Sequence, residues 1–261
     1  MELRQRTLTA QTLGELLNET FAVYGRQFSS FVRLAAMVQV PVMLIAFFLG
    51  AGVVSFGTNA VLVFFAAMLT YAAGAHAVGQ DYLTGRVSVA DCYSRVSWRL
   101  TSLFAIGLVM GIVAGLGLVL SFVIIPLIVS LMYLVYWSVA VPAIVVEGHK
   151  PAEALKRSFR LVRGNWWRVF AVLVVLSLVM FGLGVVVTVP FAVSSWLAPG
   201  EASAVGDLIR LLGDITVLAV VPPVFAIAGT LLYYDLRVRK ENYDMSELSR
   251  ELGLAAASAG R

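Results

Sequence analysis

The sequence predicts an all-α polytopic membrane protein: six transmembrane helices in three hairpins, each hairpin preceded by a cytoplasmic amphipathic helix. Three observations lead there. Of 261 residues, 60% are hydrophobic and 13% charged, with mean hydropathy +0.91, whereas soluble domains carry roughly 25% charged residues. Residues 34–80, 100–146 and 169–200, runs of 47, 47 and 32 residues, contain no Asp, Glu, Lys or Arg, and one bilayer span needs about 20. Basic islands separate the runs. The strongest is 147–168, EGHKPAEALKRSFRLVRGNWWR, with Lys150, Lys156, Arg157, Arg160, Arg163 and Arg168.

Residues 1–11 form a polar tail with no apolar signal region of 7 to 15 residues, so the first span is expected to act as its own insertion signal. Thr12 and Glu15 have the form of a capping box. Leu13, Leu17, Phe21, Tyr24, Phe28 and Phe31 follow the helical period, giving an amphipathic helix over 12–31. The first uncharged run divides into spans at 34–54 and 60–80. Ser55, Gly57, Thr58 and Asn59 are the expected turn, and Pro41 is expected to kink the first span. A second island gives a helix over 88–99, with Ser88 and Asp91 at its start. Spans three and four follow at 101–121 and 126–146, turning near Ser121 to Pro126. Gly107, Gly111 and Gly115 form a small-residue ridge for close helix approach, or the lining of a pore.

In the strongest island, Pro151 suits a first helical turn. Leu155, Phe159, Val162 and Trp166 recur on one face of a helix over 151–166. Span five follows at 169–190, then a loop with Pro190, Trp196, Pro199 and Gly200. Asp207, Arg210 and Asp214 share one helix face and can neutralise each other. Span six, at 215–234, is expected to break at Pro222-Pro223 and to end in an interfacial aromatic belt, Tyr233 and Tyr234. Beyond it Arg237, Arg239 and Lys240 lead into a tail, 242–261, expected to be mobile.

Placing both termini and the islands on one side puts 18 of the 19 Lys and Arg residues there, leaving Arg210 opposite. The positive-inside rule then makes that side, with both termini, cytoplasmic. Shifting the strongest island back by 138 positions places Glu153 on Glu15, Leu155 on Leu17, Phe159 on Phe21 and Trp166 on Phe28. This suggests an internal repeat of an amphipathic helix plus a hairpin, degenerate in its middle copy.

The basic residues flank apolar runs, which fits anionic phospholipid head groups better than nucleic acid. Lys150, Lys156, Arg157, Arg160, Arg163 and Arg168 are the expected lipid-facing cations, with Trp166 and Trp167 as anchors. A single cysteine, Cys92, leaves no intrachain disulfide and no cysteine-based metal cluster. No phosphate loop, metal-ligand spacing or nucleophile elbow is present, so no catalytic residue, metal or cofactor is expected. Candidate intramembrane polar groups are His76, Arg210 and Asp214. His76 is open to a structural hydrogen bond or a proton or substrate role. His149 is expected to be solvated.

Three segments, LGELLNETFAVYGRQF, VVEGHKPAEALKRSFRLVRGNWWRVF and LLYYDLRVRKENYD, resemble the membrane domain of bacterial glycerophosphoryl diester phosphodiesterases and related uncharacterised six-span membrane proteins. In those enzymes a metal-dependent catalytic barrel follows the membrane domain. The resemblance implies a six-span membrane fold without the barrel and without hydrolase activity. The expected role is a non-enzymatic membrane scaffold or accessory domain, with an unidentified membrane-protein partner. The alternative is a small-molecule or lipid transporter, which calls for a polar cavity reaching mid-membrane near His76, Gly107 to Gly115 and Pro222. A packed apolar interior favours the scaffold.

Overall fold

The structure, a computed structural model, describes residues 8–49, 53–120, 124–196 and 204–252. These form eleven helices and no strand: α1 Leu13–Arg26, α2 Phe28–Leu49, α3 Val53–Thr84, α4 Val89–Ser97, α5 Leu100–Val119, α6 Ile124–Tyr136, α7 Ala140–Glu147, α8 Pro151–Val162, α9 Trp166–Trp196, α10 Ala204–Glu241 and α11 Met245–Glu251. Six segments among them are long and apolar enough to cross a membrane: Phe28–Leu49, Gly57–Thr84, Leu100–Val119, Ile125–Glu147, Trp166–Ser194 and Val205–Glu241. The all-α, six-span class is therefore the observed one, and the chain is a multi-pass membrane protein.

The short helices start where local chemistry dictates. Thr12 Oγ1 accepts the Glu15 N–H (3.3 Å) and the Glu15 carboxylate accepts the Thr12 N–H (2.7 Å), closing the capping box of α1. Ser88 Oγ accepts the Asp91 N–H (3.3 Å) at the start of α4. Pro151 opens α8, where its missing N–H costs nothing. Two expected helices are shorter than their periodicity suggests. The stretch 12–31 is divided at Gln27, and α8 ends at Val162 because Gly164, at φ +88°, turns the chain before Trp166 opens α9.

The long helices overrun the expected spans, because a charge ends an apolar run without ending a helix. Ser55, Gly57, Thr58 and Asn59 lie inside α3, and Pro190 lies inside α9. Pro41 likewise sits within α2. Instead of breaking at Pro222-Pro223, α10 runs unbroken through them. Pro222 and Pro223 cannot donate to the carbonyls of Leu218 and Ala219, and the next carbonyl, Val220 O, accepts the Tyr24 hydroxyl (2.8 Å). Span four, conversely, is interrupted at 137–139, between α6 and α7. Hydroxyls satisfy backbone carbonyls around this turn: Ser138 donates to Val135 O (2.9 Å), Ser158 to Tyr136 O (2.7 Å) and Tyr71 to Ser138 O (3.3 Å). Residues 121–123, together with Pro199 and Gly200, lie outside the described residues, and Pro126 falls in the first turn of α6.

In each pair of successive long helices the partners pack together, α2 on α3, α5 on α6 and α9 on α10, and α10 also contacts α2 and α3. Helices α3 and α10 are the most buried of the long helices. Their approach is close because the facing residues are small. A Cβ on Gly74 would lie 2.6 Å from that of Ala226, and one on Gly229 would strike the Tyr71 hydroxyl. The Gly107 ridge accommodates side chains instead: a Cβ there would meet Met68 Sδ at 2.6 Å and Phe65 at 2.9 Å, while Gly115 has nothing within 4 Å. Large apolar side chains stay exposed on the outer helices, among them Phe48, Ile112, Ile125, Leu178 and Phe181. This is the surface a bilayer would cover.

The expected mobile tail is corrected for its first part. Residues 245–251 form α11, whose Leu248 is buried along with Leu252 and Tyr243. Arg95 Nη2 donates to Leu252 O (2.8 Å), so this stretch is docked through specific bonds. Residues 253–261 lie outside the described residues.

Candidate functional site

An acid closes the uncharged stretch of every second span: Asp81 on α3, Glu147 at the end of α7, and Asp235 on α10. All three are withdrawn from solvent and paired. Asp81, with 1% of its side chain exposed, accepts from Arg26 (3.3 Å) and Gln27 Nε2 (3.1 Å) at the end of α1. Asp235, also 1% exposed, accepts from the Gln11 backbone N–H (2.7 Å), Arg168 (3.0 Å) and Arg239 (3.1 Å). Glu147 accepts from Arg157 Nε (2.8 Å), faces His149 Nε2 (3.0 Å) and receives the hydroxyl of Tyr233.

The Glu147 cluster extends across four helices. Arg157 also forks onto Glu241, with Nη2 2.7 Å from Oε2. Arg237 reaches Glu241 (3.2 Å) and forks onto Glu251 of α11 (2.7 and 3.0 Å). Its guanidinium lies 3.6 Å from the centroid of the Tyr243 ring, whose hydroxyl donates to Glu251 (2.7 Å). Such charge-assisted, bidentate bonds are the strong kind, and a satisfied network of them fixes relative helix positions. Burial alone would disfavour the charge on Arg157, but its bonds to Glu241 and Glu147 prevail and hold the guanidinium protonated, its pKa raised. Lys240 Nζ donates to Arg160 O (2.7 Å), satisfying a carbonyl at the end of α8.

This geometry divides the six cations expected to face lipid. Arg157, 12% exposed, and Arg168, 25% exposed, are tied to carboxylates inside the protein. Lys150, Lys156, Arg160 and Arg163 remain exposed on α8 and its flanks. Among the described residues none of these four has a carboxylate within ion-pair distance.

The expected anchors divide similarly. Trp167 is 76% exposed, but Trp166 is half-buried and stacks on Phe170 (centroids 5.1 Å apart, planes 6°). Tyr233 and Tyr234 are core residues and no aromatic belt, since they point into the charge network and the α3 interface. Trp98 at 88% exposure is an outward aromatic that helical periodicity missed.

His76 is buried beside Gln80, Nε2 to Nε2 3.4 Å, and its Nδ1 has no partner among the described residues. The other end of Gln80 accepts the Ser88 N–H (2.9 Å) and faces the Cys92 thiol (3.6 Å). Burial pushes that thiol up to about 12, so it stays protonated at neutral pH. Arg210 and Asp214 are exposed near the other end of α10. His149 is bonded to Glu147 and is not simply solvated. Among the described residues no three His, Cys, Asp or Glu side chains are placed to hold a metal.

Two open concavities border α6 and α7. One, about 780 Å³, is lined by Trp137, His149, Leu155, Lys156, Phe159 and Arg160, with Ala152 and Glu153. The other, about 670 Å³, is an apolar cleft among α3, α5, α6, α9 and α10, walled by residues such as Phe64, Met68, Met110, Leu131, Leu173 and Phe225, with Tyr71, Ser138 and Ser177 its polar side chains.

In the sequence Asp81, Glu147 and Asp235 stand only as boundaries of uncharged runs. Their recurrence at the same end of successive uncharged stretches was the available signal. No curated protein and no solved structure is significantly similar to the chain. A family model matches residues 16–236, from within α1 to within the charged end of α10. The chain therefore belongs to the family described as Domain of unknown function (DUF7847).

Proposed function

We propose that this multi-pass protein is a non-enzymatic scaffold or accessory domain of the bacterial cytoplasmic membrane. In this reading both termini are cytoplasmic and the basic collar around α8 engages anionic lipid in the inner leaflet. One observation carries it: four exposed cations, Lys150, Lys156, Arg160 and Arg163, have no carboxylate partner among the described residues while their neighbours Arg157 and Arg168 are bound internally. Unpaired cations next to an apolar surface favour anionic head groups, at about 1 kcal/mol each. The resemblance of α1, α8 and the end of α10 to the membrane domain of glycerophosphoryl diester phosphodiesterases agrees with an accessory role. Recurrent paired acids at Asp81, Glu147 and Asp235 agree with repeated units.

The test is lipid composition after detergent-free extraction into polymer nanodiscs. The wild-type discs are expected to be enriched in phosphatidylglycerol and cardiolipin over the bulk membrane. The K150Q/K156Q/R160Q/R163Q variant is expected to lose most of that enrichment. Wild-type discs with bulk composition would refute lipid engagement.

A second reading, lipid handling or transport through the bundle, draws on the apolar cleft and the interruption of span four. The cleft walls suit an acyl chain better than a polar solute. Movement of labelled phospholipid between leaflets of proteoliposomes would favour this reading.

A further inference from the structure

The two apolar edges of α8 have different fates. Ala154, Ser158, Leu161 and Val162 are buried against the bundle, whereas Leu155 and Phe159 face the 780 Å³ groove. Lys156 and Arg160, one helical turn apart, stand on the same groove without a carboxylate partner among the described residues. The groove does contain a carboxylate, Glu153, but it is committed to the helix start, accepting the Lys150 N–H (3.3 Å), and lies 3.9 Å from His149 Nδ1. His149 and Trp137 complete the wall, and Phe159 packs on Tyr136 with centroids 4.4 Å apart.

A pair of free cations above a fixed aromatic and aliphatic wall is a two-part site. It offers charge for a phosphate and apolar surface for what the phosphate is attached to. The groove lies beside the interrupted part of span four, where Tyr133 of α6 packs on Trp137 (centroids 5.2 Å apart) and continues an exposed line at four-residue spacing through Val129 and Ile125. A ligand seated there could leave its chains on that surface.

We infer that the groove under α8 is a discrete site for one anionic phospholipid, its phosphate on Lys156 and Arg160 and its glycerol and upper acyl region on Trp137, Leu155 and Phe159. The inference rests on the proposed lipid engagement and narrows it from a diffuse collar to one stoichiometric site. A phosphate group alone would satisfy only the cationic half.

The test is native mass spectrometry of the full chain in mild detergent, titrated with phosphatidylglycerol or with phosphatidylcholine of the same acyl chains. One tightly held phosphatidylglycerol per chain is expected, with phosphatidylcholine bound at least tenfold more weakly. K156Q/R160Q is expected to weaken the phosphatidylglycerol adduct about 30-fold, as for two contacts of about 1 kcal/mol each. F159A is expected to weaken it for both lipids, and millimolar glycerol phosphate to leave it in place.

K150Q/R163Q, which changes cations away from the groove, is expected to retain it. Equal loss in the two double variants would overturn the discrete site while leaving diffuse lipid engagement standing. Displacement by glycerol phosphate would mean a phosphate site and overturn the lipid assignment. No preference for phosphatidylglycerol in the wild type would overturn both readings. The substituted cations are exposed, so unchanged unfolding midpoints in lipid-free detergent verify that the variants fold.

Discussion

Arg237 shows how much one side chain can hold. It is 6% exposed and binds Glu241 and Glu251, contacts Tyr233 and covers the Tyr243 ring. Replacing it with glutamine leaves Glu251 without its cation and Glu241 with Arg157 alone, and breaking a buried pair from one side costs about 3–5 kcal/mol. R237Q is therefore expected to lower the unfolding midpoint in detergent strongly. It should also release α11, so that limited trypsin digestion cuts at Arg250 before the rest of the chain. An unchanged midpoint and digestion pattern would mean the network carries no load. At this scale the sequence told residue type better than residue role. Arg157 and Lys156 are neighbours with the same charge, yet one is spent on Glu147 and Glu241 and the other has no carboxylate partner among the described residues. Which side of α8 meets the bundle decides this, and α8 has apolar residues on both sides.

At the scale of elements, start signals were legible because they act over three or four residues. Thr12 with Glu15, Ser88 with Asp91, and Pro151 all open the helices expected of them. Signals that depend on a partner helix were not legible. Gly107, Gly111 and Gly115 form the obvious spaced set, but Gly74 makes the closer backbone approach: at the same 2.6 Å it faces the Cβ of Ala226 on α10, whereas Gly107 faces the flexible end of Met68. Pro190 is read as part of a loop and Pro222-Pro223 as a break in isolation, yet all three lie within continuous helices. In a bilayer an intrahelical bond is the best partner open to each backbone group. These packing differences give a paired prediction. G74L forces a large side chain into the α3/α10 contact and is expected to cost about 1–3 kcal/mol in detergent unfolding. G115L, with nothing within 4 Å of its Cβ, is expected to leave stability unchanged or slightly raised. Equal effects would contradict the α3/α10 seam as the centre of the bundle.

At the scale of the molecule, six spans and their order were visible in the sequence because charge-free runs of 47, 47 and 32 residues are hard to accommodate otherwise. The layer of paired acids and arginines was not, since it joins residues such as Gln11 and Asp235 that are far apart in the chain. Helix α10 gives the layer its geometry. It is continuous from Asp214 to Asp235, about 32 Å of rise, which matches the hydrocarbon thickness of a bilayer. Arg210 and Asp214 thus lie at the end of α10 opposite the network, a bilayer's thickness away. The proposed role requires the network and α8 to lie at the inner leaflet.

Labelling of single cysteines with a membrane-impermeant maleimide, in a C92S background, tests that orientation directly. D207C is expected to react in intact cells, and E153C only after the membrane is permeabilised. Reaction of E153C from outside, with D207C protected, would place the basic face on the wrong side of the membrane and contradict the account.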